Sequence, residues 1–304
     1  MPNKKYRIKD KSDEGKRIDV YLNESISDLS RSQIQNLIQR GNVLLNQKYP
    51  TKPSYHLRYG DMINIQYILP PPLEIYPEKI PLDIVYQDRY LLVINKPSGM
   101  VVHPGAGTTK HTLVNALLYH FPEIKKVGSK TRPGIVHRLD KDTSGLMVVA
   151  RNIKAYESLK DQFKKRVVEK RYRALVWGRY LRDKGIVSWP IGRHIKNGAR
   201  MSIRTKRPKK SETRFSVNKV FKEFSLLDIK PITGRTHQIR VHMSASGHPI
   251  VGDRRYGKKK NKSTIKSRLF LHAYYLSFIH PKNQKRHEFI ISLPNELQNI
   301  LEKI

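Results

Sequence analysis

The sequence of 304 residues contains no cysteine. Disulfides, thiolate zinc sites, iron–sulfur clusters and cysteine nucleophiles are therefore excluded. The sequence also lacks any uninterrupted apolar run near the roughly 18 residues that a membrane span requires. Lys4 and Lys5 are not followed by the apolar core of a signal peptide. These absences predict a cytoplasmic protein that does not contact a membrane.

Acidic residues are scarce relative to basic ones, with 25 Asp and Glu against 60 Lys and Arg. Residues 1–80 carry 13 basic and 9 acidic side chains, a net charge of +4, whereas residues 81–304 carry 47 and 16, a net charge of +31. Two basic runs, 193–214 and 254–268, are interpreted as flexible loops that contact phosphates. The charge favours a nucleic acid partner, and a lysine-rich solvated surface is the alternative.

Signatures of several cofactor, metal and catalytic-serine sites are also missing. There is no Rossmann glycine fingerprint and no G-x-S-x-G elbow. Residues 252–259 fit G-x-x-x-x-G-K, but Lys259 stands where a phosphate-binding loop needs Ser or Thr, so the segment is interpreted as a basic turn. His237 and His242 lack the spacing of a helical zinc pair and are interpreted as structural or RNA-facing. These patterns therefore give no indication of a metal site or of a nucleotide-binding loop.

The first 75 residues have the pattern of a compact helix–helix–strand unit. Ser30 and Gln33 form the S-x-x-Q capping box of a short helix that ends at Gly41. Prolines between Pro70 and Pro81 cannot continue a helix or a central strand and mark a stiff linker. The predicted domains are residues 1–75 and 76–304. The apolar stripe of the preceding helix consists of Ile18, Tyr21, Leu22 and Ile26.

Three segments of this unit, RIDVYL, LSRSQIQNLIQRGNVLLN and LRYGDMINI, resemble the ribosomal-protein S4-like RNA-binding domain. Such domains lay a helix-turn-helix surface on structured RNA. The resemblance implies that Arg31, Gln35 and Arg40, on the polar side of the second helix, contact RNA. The alternative is a solvated helix face in a small structural domain.

The larger part mixes strand and helix patterns, which is typical of an α+β fold. Helices are predicted at 112–120, 154–165 and 236–245, and the tail is rich in strands. A polar loop within 134–145, GIVHRLDKDTSG, lies between predicted strands at 135–136 and 146–150. Because the strands would hold His137, Arg138, Asp140 and Asp142 at one edge of the sheet, the loop is interpreted as a site. A tight hairpin with solvated charges is the alternative.

The stretch HRLDKDTSGL resembles the signature of the RluA family of pseudouridine synthases. VINKPSGMVVHPG, KRYRALVWG and PITGRTHQIRVHMSASGHPIVGD resemble further family motifs in the expected order, over nearly the whole chain. With the S4-like domain in front, the chain is most similar to RluD-type members, which modify large-subunit ribosomal RNA. The resemblance implies a mixed, largely antiparallel sheet and a monomeric enzyme. It would break a uridine's N-glycosidic bond and rejoin the base through C5 without a cofactor.

The resemblance also implies roles for individual residues. Asp140 is the carboxylate that acts on the sugar, as nucleophile or as base, and Asp142 is its rival. Arg240 pairs with Asp140, and Arg235 is the near alternative. Tyr172 stacks on the target base and offers its hydroxyl for proton transfer at C5, unless it is an ordinary core tyrosine.

The target uridine must be flipped out of its helix, and Arg138, with His137, is predicted to fill the vacated space. Two other functions remain open. The chain could be a ribosome-assembly factor that binds RNA without catalysis, or a synthase acting on transfer RNA.

Overall fold

The computed structural model describes residues 3–50, 52–67, 74–105, 108–198, 200–257 and 267–304. The chain divides into two compact units, Met1–Glu74 and Ile75–Ile304. Each unit buries its own hydrophobic core. Within the described part of the chain, no helix combines the length and apolar character needed to cross a membrane.

The N-terminal unit packs two helices on a three-stranded antiparallel sheet of order β1-β3-β2. Its elements are β1 (Asn3–Arg7), α1 (Ile18–Ser25), α2 (Arg31–Gln39), β2 (Val43–Leu45) and β3 (Met62–Gln66). The predicted capping box is present, because Ser30 Oγ accepts from the Gln33 N–H and Gln33 Oε1 accepts from the Ser30 N–H. The apolar stripe of α1 is buried through Ile18 and Leu22.

The C-terminal unit is built on a nine-stranded sheet of order β10-β13-β14-β9-β15-β8-β5-β4, with β16 also paired to β15. All of its strand pairs are antiparallel except β15 with β8. Its strands are β4 (Ile84–Gln87), β5 (Leu91–Lys96), β8 (Ser144–Ala150), β9 (Glu169–Trp177), β10 (Lys184–Val187), β13 (Thr213–Val220), β14 (Phe224–Pro231), β15 (Leu271–Ile279) and β16 (Arg286–Ile290).

Four α-helices and two small hairpins complete this unit in the described residues. The helices are α3 (Leu113–His120), α4 (Ile153–Lys165), α5 (Gln238–Ala245) and α6 (Asn295–Glu302). The hairpins pair β6 (Gly128–Ser129) with β7 (Arg132–Pro133), and β11 (Gly192–Arg193) with β12 (Met201–Ser202). The predicted α+β class with a mixed, largely antiparallel sheet is confirmed.

Two predictions of local structure were wrong. Residues 135–136 form no strand, and Ile135 makes a single bridge to Val149, because the chain turns into the polar loop at once. Part of the basic run 193–214 is an ordered hairpin and not a flexible loop, since Met201 and Ile203 pack against a small buried cluster. Residues 258–266 of the second basic run lie outside the described residues.

The parallel pairing of β15 with β8 brings the two strands very close at the start of β8. Gly145 there has a φ of +117°, and a Cβ on it would lie 2.2 Å from the Ala273 carbonyl oxygen. Only glycine fits this position without a shift of backbone. The polar loop that ends at β8 is therefore anchored directly against the centre of the sheet.

Candidate active site

Asp140 lies in the loop that precedes β8, and a buried lysine holds that loop in place. Lys96 Nζ, at the end of β5, donates to the carbonyl oxygens of Pro97, Met100 and Lys141 at 2.7, 2.9 and 3.1 Å. Burial lowers the pKa of Lys96 to about 7, against the opposing effect of the nearby Asp140. Lys96 thus holds the loop through backbone carbonyl oxygens and does not use the Asp140 carboxylate as an acceptor.

The Asp140 carboxylate faces a cavity of about 440 Å³, within the range of small-molecule sites. Six of the residues that line the cavity are Arg or Lys, and Asp140 is the sole carboxylate among all the lining residues. These cations are Arg138, Lys164, Arg166, Lys170, Arg235 and Arg240. The cavity is therefore suited to an anionic ligand, with one carboxylate placed inside it. Among the described residues, no group of three His, Asp or Glu side chains is placed to hold a metal ion.

Arg240, on the first turn of α5, is nearly buried and lies between two carboxylates. Its Nε and Nη2 donate to Asp253 Oδ2 and Oδ1, both at 2.8 Å, and its Nη1 lies 3.5 Å from Asp140 Oδ2. Burial lowers the pKa of Arg240, but its bonds to Asp253 and the charges of both aspartates outweigh burial and raise it. Arg240 is therefore a fixed cation beside Asp140.

Arg235, the alternative partner, also lines the cavity but points elsewhere. Its Nε donates to the Lys210 carbonyl oxygen at 3.1 Å, and none of the described carboxylates pairs with it. The geometry therefore favours Arg240 as the partner of Asp140. The catalytic roles of both arginines remain predictions.

Tyr172, in the middle of β9, is nearly buried and lines the same cavity. Burial raises the pKa of Tyr172, and the nearby Asp140 carboxylate raises it further. The phenol is therefore protonated at neutral pH. Its backbone is held on a central strand between β14 and β15, and stacking of its ring on a base remains a prediction.

His137 and Arg138 differ in how firmly they are held. His137 Nε2 accepts a 3.0 Å hydrogen bond from the Val148 N–H, and its ring stacks on Phe163 at 4.5 Å. Burial lowers the pKa of His137 to about 3, so the imidazole is neutral. Arg138 is exposed, with Nη1 3.3 Å from His103 Nε2. Arg138 is thus the more exposed of the two at the cavity.

Asp142, the internal rival of Asp140, is exposed and does not line the cavity. Its carbonyl oxygen accepts a 2.8 Å hydrogen bond from Ser98 Oγ. This position is consistent with a role in shaping the loop.

Comparison with known proteins assigns the chain that forms this site to a family. A sequence model of the family described as RNA pseudouridylate synthase matches residues 90–245, which span the polar loop, Tyr172 and Arg240, and an S4 domain model matches residues 16–63. The chain belongs to the RNA pseudouridylate synthase family.

Relatives of this synthase cover almost its whole length. An "Uncharacterized RNA pseudouridine synthase" of Aquifex aeolicus is 42% identical, over 94% of this chain and 93% of its own. "Ribosomal large subunit pseudouridine synthase D" of Zymomonas mobilis is 41% identical, over 95% and 94%. The solved structure of "Human RNA Pseudouridylate Synthase Domain Containing 1" is 31% identical with a TM-score of 0.59, over 74% of this chain and 95% of its own.

Three further residues of the synthase site were missed by sequence reasoning. Asp253 and Tyr256 lie in the segment interpreted as a basic turn, yet Asp253 holds Arg240, and the Tyr256 ring centroid lies 5.3 Å from the Arg240 guanidinium. Lys170 lies two residues before Tyr172, with Nζ 5.6 Å from the Phe163 ring, and burial lowers its pKa. The only available signal for Asp253 was its place at the end of the HQIR motif segment.

The residues predicted to contact RNA in the N-terminal unit are partly engaged within it. Arg31 Nε and Gln35 Nε2 donate to Asp19 Oδ2 at 3.1 and 2.5 Å, and Asp19 is completely buried. Arg40 is exposed at the end of α2. Arg31 and Gln35 therefore stabilise the fold, and contact with RNA remains a prediction for all three.

Proposed function

We propose that the protein isomerises uridines of large-subunit ribosomal RNA to pseudouridine. One observation carries the proposal: Asp140, Arg240 and Tyr172 line the same cavity, and the other charged residues that line it are Arg and Lys. Three relatives that match over more than nine-tenths of both chains are named ribosomal large subunit pseudouridine synthase D, which supports large-subunit ribosomal RNA as the substrate.

The proposed reaction breaks the bond between uracil N1 and C1′ of the ribose and forms one between C5 and C1′. C5 loses its proton and N1 gains one, so the product is an isomer of uridine and no other reactant is needed. Asp140 acts at the sugar, as nucleophile or as base, and either route needs its carboxylate ionised in a shielded site. Arg240 supplies the cation that pairs with this carboxylate.

Tyr172 stacks on the uracil, and its hydroxyl offers a route for the proton that C5 loses. Burial of the ring on β9 fixes its position relative to Asp140. A base inside an RNA helix cannot reach the cavity, so the nucleotide must be flipped out, at a cost of a few kcal/mol. Arg138, exposed beside the loop that carries Asp140, occupies the space left in the helix, and His137 forms the wall behind it.

Phosphate contacts come mainly from the catalytic unit, because most of the net positive charge belongs to residues 81–304. The S4 domain orients the enzyme on folded RNA through Arg31, Gln35 and Arg40. We propose a monomer, since a single chain supplies Asp140, Tyr172 and Arg240 to the cavity. It works in the cytoplasm on assembling or assembled large subunits.

The test is to map pseudouridines in ribosomal and transfer RNA from cells with and without the gene. We expect sites in large-subunit ribosomal RNA to disappear when the gene is deleted, and to return with the wild-type gene but not with Asp140→Asn. Loss of sites only in transfer RNA would move the substrate to transfer RNA. Unchanged maps, with no tritium release from 5-tritiated uridine in ribosomal transcripts, would favour a non-catalytic assembly factor.

A further inference from the structure

His237 is the second side chain that faces the Asp140 carboxylate. Its Nε2 lies 3.9 Å from Asp140 Oδ1, while Arg240 Nη1 lies 3.5 Å from Oδ2. The two oxygens of Asp140 therefore face different nitrogen groups. A carboxylate oxygen accepts hydrogen bonds and cannot donate them, so the arrangement is favourable only if Nε2 carries a proton.

The other ring nitrogen of His237 is engaged by a tyrosine. His237 Nδ1 lies 2.7 Å from the Tyr256 hydroxyl, and the same hydroxyl accepts a 3.1 Å hydrogen bond from the Met201 N–H. A phenol has one proton to donate. Among the described residues, Nδ1 is the only acceptor within reach of this hydroxyl, so Tyr256 donates to Nδ1. In the neutral ring the proton then belongs to Nε2, the atom that faces Asp140.

The backbone of His237 adopts an uncommon conformation. Its φ is 55°, in the left-handed region that residues other than Gly adopt infrequently, although His, like Asn and Asp, occurs there more often than most. The residue sits at the start of α5, three residues before Arg240. Such a conformation persists only where the surroundings hold it, and it occurs preferentially at functional sites. Here it places the imidazole and the Arg240 guanidinium beside the same carboxylate.

We propose that His237 is a positioning residue that, held by Tyr256, presents Nε2–H to Asp140 Oδ1 and so fixes the carboxylate plane during pseudouridine formation. The contact shortens to a hydrogen bond when RNA binds, as active-site contacts commonly do. With Arg240 on Oδ2 and His237 on Oδ1, the carboxylate cannot rotate freely, and its reactive lone pair keeps one direction relative to the sugar.

The chain of contacts also connects this pair to the basic hairpin β11–β12. Met201 belongs to β12, and Arg200 beside it has its guanidinium 5.3 Å from the Tyr256 ring centroid. Met201 and Ile203 pack against the buried cluster of Ile191, Val241 and Tyr256. The hairpin thus fixes the Tyr256 hydroxyl, which in turn fixes the imidazole proton.

The kinetic test rests on the proposed function and uses four variants of the full chain in single-turnover tritium release. His237→Asn tolerates the left-handed backbone but is too short to reach Asp140, and it should slow turnover by about tenfold to a hundredfold, as expected for loss of a hydrogen bond to a charged group. His237→Gln, whose amide N–H extends to the Nε2 position, should recover most of the rate. RNA affinity should stay unchanged in both.

Tyr256→Phe removes only the hydroxyl and should slow turnover by about tenfold. Tyr274→Phe is the matched control, since Tyr274 donates to Asp228 and does not line the cavity. It should turn over at the wild-type rate. Wild-type rates for His237→Asn would overturn the proposal, and so would equal losses for the Asn and Gln variants.

A second measurement does not depend on turnover. Long-range ¹⁵N–¹H NMR of histidine-labelled protein, with His237 assigned by its absence from the His237→Asn spectrum, reports which nitrogen is protonated. We expect the Nε2–H tautomer in the wild type and its loss in Tyr256→Phe. An Nδ1–H tautomer in the wild type would overturn the inference even if the protein is an active synthase. The expected tautomer in a protein without turnover would instead count against the proposed function alone.

Discussion

The two units surround a carboxylate in opposite ways. Asp19, in the N-terminal unit, is completely buried and accepts from Arg17, Arg31 and Gln35 at distances from 2.5 to 3.4 Å. Asp140, in the C-terminal unit, is surrounded by cations, yet the nearest described donor to its carboxylate is 3.5 Å away. Both carboxylates lie among arginines, but only Asp19 accepts short hydrogen bonds from its described neighbours.

The difference separates a structural group from a reacting one. Burying a carboxylate costs free energy unless hydrogen bonds and cations compensate it. The hydrogen-bond donors around Asp19 provide that compensation. The described donors around Asp140 lie no closer than 3.5 Å to its carboxylate and leave its lone pairs free to reach a substrate. Asp253, whose two oxygens accept from Arg240 and from the N–H groups of Arg255 and Tyr256, resembles Asp19 although it lies beside the site.

Arg240→Ala should show the largest effect among the cations around these carboxylates. It removes the cation beside Asp140 and leaves Asp253 unpaired, so we expect single-turnover tritium release to fall by about a hundredfold or more. Arg240→Lys keeps a charge without the two-pronged bond to Asp253 and should lose less. Melting curves of both variants separate a catalytic loss from unfolding. Near-normal turnover in a folded Arg240→Ala protein would contradict this assignment.

Asp19→Asn should damage stability and not chemistry. The substitution removes the negative charge that the partly exposed Arg17 and Arg31 neutralise, so hydrogen exchange of residues 3–67 should accelerate, while turnover at saturating enzyme is retained. Hydrogen bonds from Arg17, Gln35 and Arg31 outweigh burial and lower the Asp19 pKa to about 2.

The acid sensitivity of the N-terminal unit follows from that shift. Because the folded pKa lies below the ordinary value, this stabilisation is complete above about pH 4 and is lost as the pH falls toward 2. The Asn variant should lack this part of the pH dependence. Equal acid unfolding of the two proteins would show that Asp19 carries no such role.

Removing residues 1–75 tests the division of charge between the two units. The truncated protein should keep a steep salt dependence of RNA binding, since counterion release follows the number of phosphates neutralised. It should lose preference for the structured target over an unrelated RNA. Titrations of both proteins across a salt series measure both effects. Affinity that becomes nearly independent of salt would place the phosphate contacts on the N-terminal unit instead.

Arg235→Ala should have the smallest effect. Its guanidinium contacts a backbone carbonyl and no described carboxylate, so we expect turnover to change by less than about threefold and the salt slope of binding to fall by about one. The assays used for Arg240→Ala serve here as well. An equal or reversed ranking of the two variants would move the pairing role to Arg235.

Much of this architecture could be predicted from local pattern. The capping box of α2 and the strand at β9 follow from short-range chemistry, and the α+β class follows from their mixture. Periodicity also located the α5 helix to within two residues. These features depend on neighbours in the chain, which a single sequence displays.

Sequence reasoning identified only those site residues that lie within the family-like motifs. Asp140, Tyr172 and Arg240 come from segments that resemble family motifs, whereas the contacts of Tyr256 with His237 and of Arg31 with Asp19 join distant positions. No periodicity specifies such pairs, because they arise from tertiary packing. The strand expected at 135–136 failed because the chain turns into the polar loop there, which leaves Ile135 with a single bridge to Val149.

The most direct test of the contrast between the two carboxylates is Asp140→Asn, measured for both turnover and melting temperature beside the wild type. The substitution keeps the shape and removes the charge from a group that few donors satisfy. The account predicts that single-turnover tritium release falls by at least about a thousandfold, while the melting temperature and RNA affinity stay nearly unchanged. Substantial turnover by the variant would contradict it, as would a loss of stability comparable to that of Asp19→Asn.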